Sequence, residues 1–209
     1  MEHVLVAGAN GTTGKKIIEL LKSSQYFIPI AMVRTIEQKK NFENQHVKTV
    51  LGDLEKDISH TIIDIDKVIF AAGSGGKKVK EVDQEGAKKL IKASTEAQVK
   101  KFVMLSSMGA DNPEASAELK DYLTAKHNAD MYLKDSGLNY AIVRPGSLNN
   151  KKGDGKIELA KSLNKSGEIT RDDVAQTLVR ALHDDTANNT TFEILQGNTL
   201  VGKAFDAIE

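Results

Sequence analysis

Cysteine and tryptophan are absent from the 209 residues, and proline occurs only three times. Without cysteine there is no disulfide framework, no thiolate nucleophile and no cysteine-held metal, a composition that suits a reducing compartment. An excess of either charge is missing too, since 29 basic and 29 acidic residues cancel. That removes the overall attraction to nucleic acid or anionic membrane that a basic chain would have. No apolar run approaches the roughly 20 residues that span a bilayer. The opening Met1-Glu2-His3 runs straight into an apolar stretch, with no charged segment of the kind that starts a signal peptide. Five histidines (His3, His46, His60, His127 and His183) show no metal-ligand spacing, so no metal site is expected. Together these absences predict a soluble, cytoplasmic protein that acts on a small molecule, as a monomer or homodimer, with neither nucleic acid nor membrane as partner.

What is present is alternation. Short β-branched apolar runs at 3–7, 27–33, 47–51, 67–71, 101–105 and 139–143 read as strands buried on both faces. Amphipathic stretches at 14–22, 82–97, 117–135 and 171–183 read as helices, and in the second of them Val82, Leu90, Ile91 and Ala97 fit one buried stripe. Strand and helix in turn predict an α/β fold, a doubly wound parallel sheet with helices on both faces. Residues 191–195 add a further strand, Gly197-Asn198 a turn and 201–208 a closing helix. The length fits one domain over 1–209, with 147–209 supplying the substrate side. Within it, the polar stretch 147–167, rich in Asn, Lys and Gly, reads either as a mobile flap over the substrate or as a solvated loop with a short helix.

The first strand runs directly into Gly8-Ala9-Asn10-Gly11-Thr12-Thr13-Gly14. A strand that turns sharply into a helix favours Gly8; Gly11 lets the backbone approach a pyrophosphate, and Gly14 lets helix and strand pack closely. The helix that follows aims its N-terminal amides at the phosphates. A dinucleotide cofactor is therefore expected. The second strand ends in Arg34, where an acidic residue would bind a ribose 2′-hydroxyl. A guanidinium there grips a 2′-phosphate, so NADP is favoured over NAD, with Lys39 or Lys40 assisting. Asp53, in Gly52-Asp53-Leu54, either meets the adenine or caps the following turn. The stretch 73–80, GSGGKKVK, has glycine and lysine but not the spacing of a nucleoside-triphosphatase loop.

Tyr122 and Lys126 are four apart on a predicted helix, which puts a phenol and an ammonium on one face. A nearby positive charge favours a phenolate, so such a tyrosine can hand a proton to a carbonyl oxygen as hydride reaches the carbon. The fifth strand ends in Ser106-Ser107, hydroxyls at the carboxyl edge of the sheet. Asp172 and Asp173 read as helix-start residues, not as a hydrolytic pair.

These residues resemble the short-chain dehydrogenase/reductase superfamily, in particular its atypical, extended-like NAD(P)H-binding branch of NmrA-like proteins, sugar epimerases and flavin or biliverdin reductases. The resemblance runs through AGANGTTG at 7–14, MVR at 32–34, GDL at 52–54, AAG at 71–73, FVMLSS at 102–107, YLTAK at 122–126, IVRPG at 142–146 and ITRDDVA at 169–175. It implies a Rossmann-type fold in which Gly8, Asn10, Gly11, Thr12, Thr13, Gly14, Arg34, Asp53, Leu54, Ala71, Ala72 and Gly73 hold the cofactor. Pro145 and Gly146 would lie against the nicotinamide, Ser107 would position the substrate, Tyr122 would be the acid/base, and Lys126 would also bind the nicotinamide ribose.

The chain departs from the pattern in two places. Val82-Asp83-Gln84-Glu85-Gly86-Ala87 stands where extended members often carry VNxxGT, and about 40 residues after Arg171 supply no substrate domain of the nucleotide-sugar type. An NADP-dependent oxidoreductase for a small carbonyl or conjugated substrate is the leading expectation. An NAD(P)-dependent epimerase and a non-catalytic NADP sensor are the alternatives.

Overall fold

A computed structural model of the chain describes residues 1–208. Strand β1 (Glu2–Ala7) lies between β2 (Phe27–Val33) and β4 (Lys67–Phe70), parallel to both; β3 (Lys48–Leu51) pairs with β2, β5 (Lys101–Leu105) with β4, and β6 (Tyr140–Pro145) with β5. The parallel order 3-2-1-4-5-6 is that of the dinucleotide-binding sheet, with its topological switch point between β1 and β4. One further parallel strand, β10 (Thr190–Gln196), joins beside β6; β8 (Lys156–Ala160) and β11 (Thr199–Leu200) then finish the sheet antiparallel. A separate parallel pair is formed by β7 (Ser147–Asn149) and β9 (Glu168–Thr170).

Alternation along β1 sorts the core. Val4 and Val6 pack with Ile17, Ile18 and Leu21 of α1 (Thr12–Lys22), Val174 and Leu178 of α5 (Arg171–Arg180), and Val201 of α6 (Val201–Ala204). Leu5 and Ala7 face the other way, onto Leu90 and Ile91 of α3 (Ala87–Glu96) and Ala129 and Leu133 of α4 (Lys120–Lys134). The sheet is thus sandwiched, as a doubly wound fold requires. Among the described residues no helix is long and apolar enough to cross a membrane.

Four sequence expectations are corrected. The stretch 147–167 holds no short helix: it builds β7 and β8, with Ile157 and Leu159 buried while Lys156 is exposed and Glu158 and Ala160 are half-buried. A helix not expected from the sequence, α2 (Ile36–Glu43), is polar apart from exposed Ile36 and buried Phe42, and Thr35 caps it by accepting from the Gln38 amide. Residues Val79–Gly86 form a π-helical run before α3, and Ala97 is exposed, outside the buried stripe. The closing helix divides into α6 and a 3-10 turn over Phe205–Ala207.

Candidate active site

β1 ends at Gly8, whose φ of +88° lies in the left-handed region. A Cβ there would stand 2.6 Å from the Ala72 nitrogen and 2.7 Å from the Ala71 carbonyl, so only glycine passes at this junction with β4. Gly11 donates its amide to the Gly8 carbonyl at 2.9 Å and begins α1 with no side-chain cap. The first-turn amides of an 11-residue helix are left for an outside acceptor. Gly14 acts one layer down, because a Cβ on it would collide with the Gly8 carbonyl oxygen. It sets the approach of α1 to β1 and does not line the cleft.

The cleft itself holds about 890 Å³ along the carboxyl edge of the sheet. Gly8, Gly11, Thr12 and Thr13 form one stretch of its wall, and the loop Ala71–Lys78 another. Arg34 borders it, exposed and, among the described residues, without an ion pair; its own amide donates to Gln38 Oε1. Glycine backbone, uncapped helix amides and an unpaired guanidinium fit the pyrophosphate and adenosine phosphate of a dinucleotide.

Tyr122, half-buried on α4, borders this cleft at its other end. One turn on, buried Lys126 reaches under it, with Nζ 5.7 Å from the ring centroid. That ammonium donates to the Leu105 carbonyl at 3.2 Å and stands 3.7 Å from Asp83 Oδ1. Asp83 Oδ2 accepts from the Ser74 amide at 3.0 Å, linking the lysine to the loop after β4.

The two serines that end β5 have different neighbours. Ser106 donates to Asp130 Oδ2 at 2.8 Å, an oxygen that also accepts from Arg144 Nε at 3.1 Å and Nη2 at 3.0 Å. Burial pushes the Asp130 carboxyl above its ordinary range, against the opposing pull of Arg144. Ser106 is therefore committed to the interior. The Ser107 hydroxyl donates to the neighbouring Met108 carbonyl at 3.1 Å, and the residue lines a second depression of about 540 Å³, which also contains Pro145 and Gly146. Ser106, Leu119, Tyr122 and Leu148 are shared between the two depressions, so they adjoin at the tyrosine.

Besides Gly14, four residues expected at the cofactor lie elsewhere. Asn10 is exposed and borders a separate surface depression with Lys15, Glu19 and Asn41. Asp53 closes a turn by accepting from the Glu55 amide at 3.1 Å, and Leu54 is buried in the core beneath Gly86. Lys39 pairs with Glu43 along α2 at 3.7 Å. Two residues were missed. Asp83 is one, an acid set among the apolar positions of its helix. Arg171 is the other: it borders the cleft while Nη1 donates to the Leu148 carbonyl at 3.2 Å and to Asn150 Oδ1 at 2.9 Å. A cation at the first position of α5 opposes the helix dipole, and that was the signal available in the sequence. Among the described residues no cluster of three metal-ligating side chains occurs.

The sequence model of a family described as NAD(P)H-binding matches residues 8–185. The chain is 40% identical over 209 residues to the uncharacterised sugar epimerase YhfK of Bacillus subtilis (strain 168), covering 96% of this chain and 97% of that protein. Among solved structures, one from Bacillus halodurans described as an NAD-dependent epimerase/dehydratase superposes with a TM-score of 0.94 at 36% identity, covering 99% of both chains. The oxidoreductase ylbE of Lactococcus lactis superposes with a TM-score of 0.90 at 31% identity, over 99% of this chain and 96% of that one. A glycine turn at the switch point, a cleft shaped for a dinucleotide and these likenesses agree: the chain belongs to the NAD(P)H-binding family.

Proposed function

We propose that the protein is an NADP-dependent oxidoreductase that reduces a carbonyl or conjugated compound, with Tyr122 as proton donor. The observation that carries this reading is the place of Tyr122 on the border of two adjoining depressions, with the Lys126 ammonium 5.7 Å from its ring. When bound, the reduced cofactor supplies hydride. Its phosphates would be held by the Gly11–Thr13 backbone and its 2′-phosphate by Arg34; Lys126 would meet the nicotinamide ribose.

The remaining work belongs to side chains. Ser107, whose hydroxyl is free of the interior, hydrogen-bonds the substrate oxygen and holds it near Tyr122. Tyr122 donates its phenolic proton to that oxygen, and the Lys126 charge stabilises the phenolate left behind. Asp83 and the Leu105 carbonyl keep Lys126 in place from its other side. Ser106 and Asp130 anchor the end of β5 and so fix the direction of Ser107.

The Tyr122→Phe variant should lose about 10²–10⁴-fold in kcat for NADPH-dependent reduction while its affinity for NADPH stays unchanged. Turnover equal to the wild type would remove Tyr122 from the mechanism. Arg34→Ala should weaken NADPH binding by about 10- to 100-fold, the worth of lost charge-assisted hydrogen bonds, and leave NADH binding nearly untouched. Isothermal titration with both cofactors reads this directly, and an equal loss for both would show that Arg34 does not meet the 2′-phosphate.

A further inference from the structure

The depression beside the cofactor cleft has an unusual set of walls. Met108, Leu119, Leu123, Pro145 and Leu148 supply apolar surface. Polar atoms come from serine hydroxyls, the Tyr122 phenol, backbone and one lysine, Lys165; no carboxylate, side-chain amide, guanidinium or imidazole lines it. Lys165 is half exposed at this wall, and its Nζ is engaged by Glu158 Oε2 at 2.6 Å.

A sugar ring presents several hydroxyls, each donor and acceptor, and recognition of them needs carboxylates or amides that can answer in pairs. This pocket has none. A nucleotide sugar asks still more, since a second pyrophosphate would meet only one cation, already paired. An apolar ring, by contrast, leaves no group unpaired here except its carbonyl oxygen, which Ser107 and Tyr122 are placed to bind. The volume, about 540 Å³, is that of a pocket for a compound of one to three rings.

We propose that the substrate of this site is an apolar cyclic carbonyl compound, of which a naphthoquinone is representative, and that the site does not act on sugars. The inference rests on Tyr122 being the proton donor. The carbonyl compound gains a hydride supplied by the reduced nicotinamide cofactor and a proton from the Tyr122 hydroxyl, which solvent restores. The substrate is thereby reduced by two electrons and the cofactor oxidised by two.

Menadione serves as the probe, with UDP-glucose and UDP-galactose as the contrast. In the presence of NADP⁺, menadione should raise the melting temperature of the Tyr122→Phe variant, and the nucleotide sugars should not shift it. Wild-type protein should oxidise NADPH with menadione and leave both sugars unchanged. Met108→Asp, which places a carboxylate in the pocket away from the cofactor cleft, should raise the KM for menadione at least tenfold with NADPH affinity intact. Tyr122-dependent epimerisation of a nucleotide sugar, with menadione neither bound nor reduced, would overturn the substrate assignment and leave the role of Tyr122 standing. Failure of the protein to bind NADPH at all would overturn both.

Discussion

Lys67 and Lys101 begin β4 and β5 and are adjacent in register, at the edge of the sheet opposite the cleft. Both are almost fully buried. Lys67 reaches the Leu182 carbonyl at 2.9 Å and Asp184 at 2.6 Å, and Lys101 reaches the carbonyls of His183 and Thr186 and Asn188 Oδ1. They close off the segment that follows α5, with a favourable sign toward its dipole. Nothing in the sequence marks them, because their partners lie far along the chain: Glu2 and Asp184 for Lys67, and residues 183 to 188 for Lys101. The serine pair is a similar case: the sequence placed two hydroxyls at the end of β5, but only the buried Asp130 distinguishes Ser106 from Ser107.

Burial, then the Lys67 charge, pulls the Lys101 ammonium down from 10.5 to about 8. In the window between these values the unfolded chain holds the proton more tightly than the folded one. Lys101 therefore contributes stability above pH 10.5 that is lost as pH falls through about 8. The difference in urea midpoint between wild type and Lys101→Met should grow from pH 8 to pH 10 and be flat below. A difference independent of pH would mean that Lys101 titrates normally.

Among the elements, those written in short-range pattern were legible. The strand, glycine turn and helix at the start of the chain involve contiguous residues, and each glycine carries its own steric reason. α2 escaped because a surface helix with one buried residue, Phe42, has almost no apolar period. β8 escaped because its two inward residues, Ile157 and Leu159, are diluted by a lysine-rich surround, and its pairing with β10 is set some 35 residues away. The acids that open α5, Asp172 and Asp173, are legible as helix-start residues and stand in its first turn. The structure adds that Asp172 accepts from the Gly153 amide and Asp173 from the Gly155 amide, so the helix end also anchors the turn into β8.

Two glycines test element packing in opposite senses. Gly14→Ala drives a methyl into the Gly8 carbonyl and should destabilise by about 1–3 kcal/mol, as overpacking does. Gly202 sits in α6 with nothing within 4 Å of its would-be Cβ, so Gly202→Ala should stabilise by about 0.4–1 kcal/mol. Urea unfolding of both variants checks the pair. A neutral Gly14→Ala would show that α1 can lift from β1 without loss.

For the whole molecule, the cleft is where separate pieces of chain meet. Its walls come from the ends of β1, β2, β4 and β5, the start of α1, the loop Ala71–Lys78, the π-helical run with Val82 and Asp83, α4, Leu148 of β7 and the first residue of α5. The two apolar clusters on either face of the sheet hold these pieces from behind. A ligand that touches all of them exists as a binding partner only in the folded state, so its binding free energy adds to stability. At 100 times its Kd, one bound ligand contributes about 2.7 kcal/mol. For a chain of 209 residues each kcal/mol corresponds to about 2–4 °C, which gives a rise in Tm of about 5–10 °C with NADPH. NADH at the same concentration should give a clearly smaller rise, because Arg34 then has no phosphate to bind, and Arg34→Ala should close the gap between the two cofactors. Scanning calorimetry of wild type and variant with each cofactor separates the outcomes: equal shifts in the wild type would make the cofactor preference a property of some other residue, and a gap that persists in Arg34→Ala would point to the lysines of the Ala71–Lys78 loop instead.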